Sequence, residues 1–461
     1  MINVLRGHLR DIWRRSHFFR VVLVLSVGYT VLRILIQVGV LTFMFSGGMG
    51  LKTAAFEWAP QVEGPMIPDD LRIYLDAADR LQAKEALYIQ GTVDRMEFYQ
   101  YAPSFALLLI PLLKIPRQMV AILHTTFIVL AYSSFFVLWG KFFDEFRLPE
   151  VQKQLVLTLP VWLLFSSFWT DLGYLNVYIF MALLSSLALY AVMKERLWLA
   201  LLWISLILQV KPQWAFALVI PLLMGRWRFF LKLLGLAVLS YFAMMGLTLL
   251  IVGPRYGWQQ YVDYVQLLRG ISAGGYPWRD PSMPFLGYNH SIKQVLVYTL
   301  GATPDVLRWA DAIKLLLLLP LGVLSVRYLL KPVNERATER PCLALDLAFA
   351  FYLGAFLWLD MIWELSLSIV VFPYLWKTVG HKFLKGLILA VFLPYALLDP
   401  LRIGGLGLSF LGLDTITPGP YILTDPAIYL PLILFVAVVF YGVLVIRLWQ
   451  APHLQQSAVS T

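Results

Sequence analysis

Two adjacent carboxylates, Asp69 and Asp70, stand in the only long polar interval of a chain that is otherwise almost continuously apolar. They directly precede a stretch in which Leu71, Tyr74, Ala78 and Leu81 fall on one face at helical spacing. A carboxylate in that position can act as a general base on a hydroxyl brought within hydrogen-bond reach. Aspartate is also a favoured helix N-cap, so the pair allows a division of labour, with Asp69 capping the helix and Asp70 projecting toward substrate. A second candidate is Lys211, in the run Gln209-Val210-Lys211-Pro212-Gln213 that interrupts an apolar stretch. Lysine is costly in hydrocarbon, and proline forbids an ideal helix. The run therefore reads as two half-helices that meet at a cation facing a cavity. The plainer alternative is a lysine that snorkels to a nearby interface.

Other polar side chains are candidates for holding a substrate. His290, beside Asn289, can position a hydroxyl or an anion, although a lone histidine is as readily a buried structural group. Asp171 and Asn176 bracket a tight turn and can either contact substrate or simply form the turn. Asp360 and Glu364, flanked by Trp358 and Trp363, suit sugar hydroxyls with aromatic stacking, or else mark an interfacial tryptophan belt with solvated acids. Arg33 pairs with an acid or snorkels outward, and Arg72, Arg255 and Arg279 are weaker candidates. No GxxxxGK[ST] phosphate loop, HExxH or CxxC spacing occurs. The single cysteine, Cys342, excludes an internal disulfide framework and a multi-cysteine metal site. The expectation is no bound cofactor and no protein-held metal, with a role for a divalent cation left open.

The elements that must carry these groups are membrane spans. Hydrophobic residues make up 60% of the chain and charged ones 14%, with a mean hydropathy of +0.74; soluble domains carry about 25% charged residues. Several apolar runs reach the roughly 20 residues that cross a bilayer, and their length excludes a transmembrane barrel. The formal net charge of +10 sits at span ends rather than on one face, so it reports topology and not nucleic-acid binding. Arg6, Arg10, Arg14 and Arg15 place the N-terminus in the cytoplasm. The expected fold is an all-α polytopic membrane protein of about twelve hydrophobic segments forming one module, 1–461. Two large extracytoplasmic loops, 46–103 and 253–303, carry short amphipathic helices. Segment 104–113 either crosses the bilayer or stays on the outer side; the second choice gathers the polar turns on one face. Segment 197–224 has basic residues at both flanks, as a re-entrant pair of half-helices requires.

The order Asp70-Leu-x-x-Tyr74, Ala77-Ala78, Leu87-Tyr88, Tyr101-x-Pro103 and Pro111-Leu112 resembles glycosyltransferase family 87. The likeness continues at Gly173-Tyr174-Leu175-Asn176, at Lys211-Pro212 with Arg226-Trp227-Arg228, and at Asn289-His290-Ser291. Tyr174 stands where the family tends to carry glutamine, and His290 is the middle residue of what is otherwise Asn-Gln-Ser. The family's late Trp-x-His-Tyr pattern appears only as Trp363-Glu364-Leu365-Ser366, without its histidine. The resemblance implies an integral-membrane enzyme of the GT-C type. It would move a hexose, mannose by analogy, from a polyprenyl phosphate to a glycolipid or polysaccharide on the outer face of the plasma membrane. Asp70 would be the base of an inverting displacement and Lys211 a ligand of the departing phosphate. Asp69, Tyr74, Asn176, Asn289, His290 and Glu364 would bind substrate. A lipid-linked saccharide flippase or solute transporter is the competing class, and would scatter polar residues along its spans and show a pseudo-repeat. A non-catalytic relative is the third.

Overall fold

The structure, a computed structural model, describes residues 2–46, 66–88, 99–270, 289–330, 340–410 and 426–451. Residues 47–65 and 89–98 of the first large loop, 271–288 of the second with Arg279, and the basic loop 331–339 lie outside them. Among the described residues the regular elements are all helices. Helix α1 (Ile2–Arg15) turns at Ser16, whose hydroxyl accepts from the Phe19 amide at 3.1 Å and so caps α2 (His17–Phe45). Next come α3 (Asp69–Ala83), α4 (Pro103–Leu109) with its 3-10 extension Ile110–Lys114, and α5 (Arg117–Glu145). The run α6 (Pro149–Leu157), α7 (Leu159–Leu164) and α8 (Ser166–Tyr174) bends by 48° after Leu157, where Pro160 supplies no amide to continue the helix. Then follow α9 (Tyr178–Met193), α10 (Leu197–Val210), α11 (Ile220–Leu223), α12 (Trp227–Val252) and α13 (Pro254–Gly270). The last third holds α14 (Ile292–Leu300), α15 (Pro304–Leu330), α16 (Pro341–Trp358) and α17 (Ser368–Thr378). It closes with α18 (Lys382–Ala396), α19 (Leu398–Phe410) and α20 (Pro426–Gln450).

Helices α2, α5, α12, α15, α16 and α20 are the six among the described residues that are long and apolar enough to cross a bilayer. The number becomes eight if each bent pair, α6 with α7–α8 and α18 with α19, counts as one span. The twelve segments expected from hydropathy are not reached by this measure. Helices α9 and α10 have 16 and 14 residues, short of a full crossing. The long helices turn large apolar side chains outward, with Leu250 83% exposed and Leu316 69%. A surface of that kind suits lipid and would be a liability in water. This is an integral membrane protein. Within lipid, burial of apolar groups releases little water, so cohesion rests on packing and on hydrogen bonds between helices. The core supplies both: Trp139, Phe142 and Phe143 are fully buried, and the Trp139 indole donates to Ser186 Oγ at 3.0 Å, joining α5 to α9. Arg33 resolves as a paired residue, 3.0 Å from Asp399, which also accepts from the Tyr29 hydroxyl.

Two local features set up the site. Segment 104–114 is anchored to one helix at both flanks: Tyr101, just before it, bonds Tyr74 of α3, and Arg117, just after it, pairs with Asp76 of α3 at 2.7 Å. Both of its ends therefore lie against the same helix. Segment 197–224 leaves and returns as a broken pair. Helix α10 ends at Val210, and the proline at 212 pushes Lys211 into an extended conformation, φ −139° and ψ 86°. Two 3-10 turns, Pro212–Trp214 and Phe216–Val219, then lead back through α11. Glu195 and Arg226, at the two flanks, meet at 3.3 Å. The freed backbone at the break is satisfied in part by Ser185, whose hydroxyl donates to the Trp214 carbonyl at 3.0 Å.

Candidate active site

Asp70 lies in the first turn of α3. The helix is entered through Pro68, with no side-chain cap, so Asp69 does not take the capping role expected of it. Asp69 instead reaches Arg72 at 3.7 Å. The predicted face of α3 is correct: Leu71, Tyr74, Ala78 and Leu81 are all buried. That anchoring fixes the direction in which Asp70 leaves the helix.

The partner of Asp70 comes from 106 residues away. Asn176 follows Leu175, a C-cap held in the left-handed region at φ +53°, which turns the chain sharply between α8 and α9. Its Nδ2 donates to Asp70 Oδ2 at 2.6 Å. Its Oδ1 accepts from the Tyr74 hydroxyl at 2.9 Å and from the Val177 amide at 2.6 Å. Because both ends of the amide are engaged, its orientation is fixed by the network. Tyr74 also bonds the Tyr101 hydroxyl at 2.9 Å. Tyr74 thus acts through Asn176, and Asn176 aims the carboxylate. Asp171, at the start of the same turn, accepts from the Tyr178 and Ile179 amides at 3.0 Å each. It is the turn-former of the two readings, and it caps α9.

Lys211 sits at the break after α10, buried to 5%. Its Nζ donates to the Tyr178 hydroxyl at 3.2 Å. It lies 4.3 Å from the centre of the Tyr178 ring, 4.8 Å from that of Tyr101 and 5.8 Å from that of Trp363. Three aromatic faces favour an ammonium where little water can. Lys211 and Asp70 are near enough to act on each other's charge. Asp70 keeps some accessible surface, yet protein surrounds it closely. Burial pushes its carboxyl up to about 7; the Asp69 charge adds to the rise, and Lys211 and the Asn176 amide oppose it. A carboxylate poised near neutrality is well matched to general-base work.

Asn289 and His290 lie at the same end but knit backbone. The Asn289 amide donates to the Asp360 carbonyl at 2.8 Å and accepts from the Ile362 amide at 3.1 Å, while the His290 amide donates to the Ile362 carbonyl at 2.8 Å. With His290 fully buried, the pair holds the loop between α16 and α17 that carries Trp363 and Glu364. The acids of that loop are not solvated, contrary to the belt reading. Asp360 is clamped by Lys293 at 3.1 Å and by Lys314, two lysines nearly without exposure. Glu364, 4% exposed, accepts from the Tyr395 hydroxyl at 3.1 Å. Tyr178, Gln213, Trp214, Tyr352 and Glu364 line a narrow cleft together with apolar side chains at and just after the end of α16. Among the described residues no group of three His, Cys, Asp or Glu side chains is disposed to hold a metal ion.

Tyr178 escaped the sequence, and so did the joint role of Tyr101 and Trp363 with it: the three cage Lys211 from separate segments, and no spacing within any one segment announces that. Lys293 and Lys314 were equally silent, since each sits in an ordinary helical pattern. The sequence model of glycosyltransferase family 87 matches residues 99–350. No curated protein and no solved structure matches the chain. Tyr101, Asn176, Lys211, Asn289 and His290 fall inside the matched stretch, whereas Asp70 and Glu364 flank it.

Proposed function

The chain belongs to glycosyltransferase family 87, and we propose that it transfers a hexose from a polyprenyl-phosphate donor to a glycolipid or polysaccharide acceptor. Mannose is the sugar its resemblance favours, and the extracytoplasmic face of the plasma membrane is the side. The observation that carries this reading is the convergence of Asp70, Asn176 and Lys211 in one desolvated site, from segments far apart in the chain. A base and a cation in one pocket are what displacement at an anomeric carbon needs when the leaving group is a phosphate.

In the proposed reaction Asp70 takes the proton of an acceptor hydroxyl as that oxygen bonds to the anomeric carbon. The bond from that carbon to the phosphate oxygen breaks, and its electron pair leaves with the polyprenyl phosphate. Lys211 and the Tyr178 hydroxyl balance the charge that grows on the departing oxygen. Asn176 and Tyr74 hold Asp70 in line, and Asn289 with His290 holds the loop that brings Trp363 over the lysine. A single displacement inverts the anomeric centre. The leaving phosphate already carries charge, so no strong acid is required opposite the base.

Transfer from a radiolabelled polyprenyl-phosphate hexose, assayed in membranes, tests the reading. Asp70→Asn is expected to lose on the order of 10²–10⁴ in turnover, and Lys211→Met on the order of 10²–10³. Equal transfer by wild type and Asp70→Asn removes Asp70 from the base role. No transfer by wild type overturns the enzyme reading and leaves transport or a non-catalytic role.

A further inference from the structure

Helix α1 carries a charged edge that the transfer reaction leaves unused. Its apolar edge is spent on protein: Leu5, Leu9 and Ile12 pack with Val156 of α6, and Leu5 fills the space that a Cβ at Gly140 of α5 would need. Arg6, Arg10 and Arg14 stand on another edge, four residues apart and all exposed. Asp11, the one acid of the helix, is taken by Arg15 at 2.6 Å. None of the three arginines has an ion pair among the described residues. Like charges four apart on a helix repel one another, so three in line are an uncompensated cost within the protein alone. Trp13, 40% exposed, stands beside them, and Phe18, 78% exposed, follows the turn at Ser16. Tryptophan settles at the level of lipid headgroups, and α2 enters hydrocarbon directly afterwards. The positive-inside tendency accounts for basic residues at this end of the chain, but it does not require three of them to share one edge.

We propose that the Arg6–Arg10–Arg14 edge of α1, with Trp13, is a binding site for the anionic phospholipid headgroups of the leaflet from which α2 departs. Guanidinium groups pair with phosphate oxygens through two parallel hydrogen bonds. Successive arginines stand about 6 Å apart along the helix axis, near enough for one phosphate to bridge two of them. Basic clusters beside a span draw anionic lipid in this way. An acidic protein segment would meet the charge, but it would leave Trp13 and Phe18 without a role; a lipid occupies both the charge and the aromatic edge. The site is independent of the transfer chemistry, since Gly140 lies roughly 35 Å along α5 from Arg117, which meets α3.

Lipid counting tests the site. The full chain, delipidated in detergent, is titrated with phosphatidylglycerol and with phosphatidylcholine, and bound lipids are counted by native mass spectrometry. Wild type is expected to hold phosphatidylglycerol about ten-fold or more tighter at low salt, with the preference shrinking as salt rises. The triple variant Arg6→Gln, Arg10→Gln, Arg14→Gln is expected to lose most of that preference, and the corresponding lysine triple to keep most of it. A control triple at the same end of the bundle, Arg228→Gln, Lys232→Gln, Lys382→Gln, removes equal charge and should keep it. Thermal midpoints should match wild type throughout, because the changed side chains are exposed and Gln and Lys are good helix formers. An unchanged preference in the α1 glutamine triple overturns the site, as does an equal loss in the control triple or a wild type that shows no preference. Binding of soluble polyglutamate in place of phosphatidylglycerol assigns the edge to an acidic protein and overturns the lipid.

Discussion

At the scale of single residues, the behaviour of Asp70 follows from its surroundings. Below about pH 7 its carboxyl holds a proton and cannot take another. If it is the base, kcat/KM falls on acidification with a midpoint near that value, measured as transfer across pH 5–9. Burial also lifts the Glu364 carboxyl to about 7, so the limb needs assignment: Glu364→Gln should keep it, and any residual activity of Asp70→Asn should lack it. Asn176 donates to the ionised form of Asp70 and so opposes the rise. Asn176→Leu should move the acid limb to higher pH, whereas a purely structural asparagine would lower the rate without moving it. A stability consequence has the opposite sign. Asp70 titrates near 4 when unfolded and near 7 when folded, so the folded state binds the extra proton and stability falls as pH rises through that window. Asp70→Asn should therefore melt higher than wild type at pH 8, with the gap closing by pH 5. A residue whose removal stabilises the fold and abolishes turnover is retained for its chemistry.

Among elements, the loop between α16 and α17 is the one on which the site depends most. It is stitched by Asn289 and His290 and clamped by Asp360 between Lys293 and Lys314. Asp360→Ala would leave the two buried lysines only the half-exposed Asp311, 3.0 Å from Lys293 and 4.0 Å from Lys314, so a loss below the roughly 3–5 kcal/mol of a stranded buried charge is expected. The thermal midpoint in nanodiscs should fall accordingly, and should partly recover when Lys314→Met is added. The flank pair Glu195–Arg226 gives the contrasting case. Glu195 is 48% exposed at its side chain, and Glu195→Ala should change stability by less than about 1 kcal/mol. The break after α10 needs Pro212 for its shape rather than for any contact. A proline leaves the preceding residue little choice but an extended backbone, and that conformation puts Lys211 at the tip.

For the molecule as a whole, the predicted outcome concerns sides. Asp70, Asn176 and Lys211 gather at one end of the bundle, while Glu145, Lys194, Glu195 and Arg226 gather at another, where Lys194 meets Glu145 at 2.9 Å. With the proposed topology the first group faces away from the cytoplasm. In a Cys342→Ser background, Glu85→Cys should react with an impermeant maleimide added outside intact cells, and Glu195→Cys only after permeabilisation. Labelling of both from the same side would remove the shared-pocket topology on which the transfer mechanism depends.

Apolar run length and the amphipathic spacing of 71–81 established the class of protein and the buried face of α3, because helix formation and lipid burial are decided locally by period and composition. The sequence also pointed to Asp70 as the carboxylate to watch and to Lys211 at a proline-broken tip, since a charge in an apolar run stands out on its own. What it could not supply was the count of full crossings, because a short apolar helix and a full span share a composition. Nor could it supply the roles of neighbours. Asp69 reads as a cap by type, yet Pro68 enters the helix; Asp360 reads as solvated, yet two distant lysines bury it. The aromatic cage of Lys211 joins Tyr101, Tyr178 and Trp363, and Asn176 meets Asp70 across 106 residues. Such contacts are set by how helices pack and where the chain turns back, and only the tertiary structure brings those segments together.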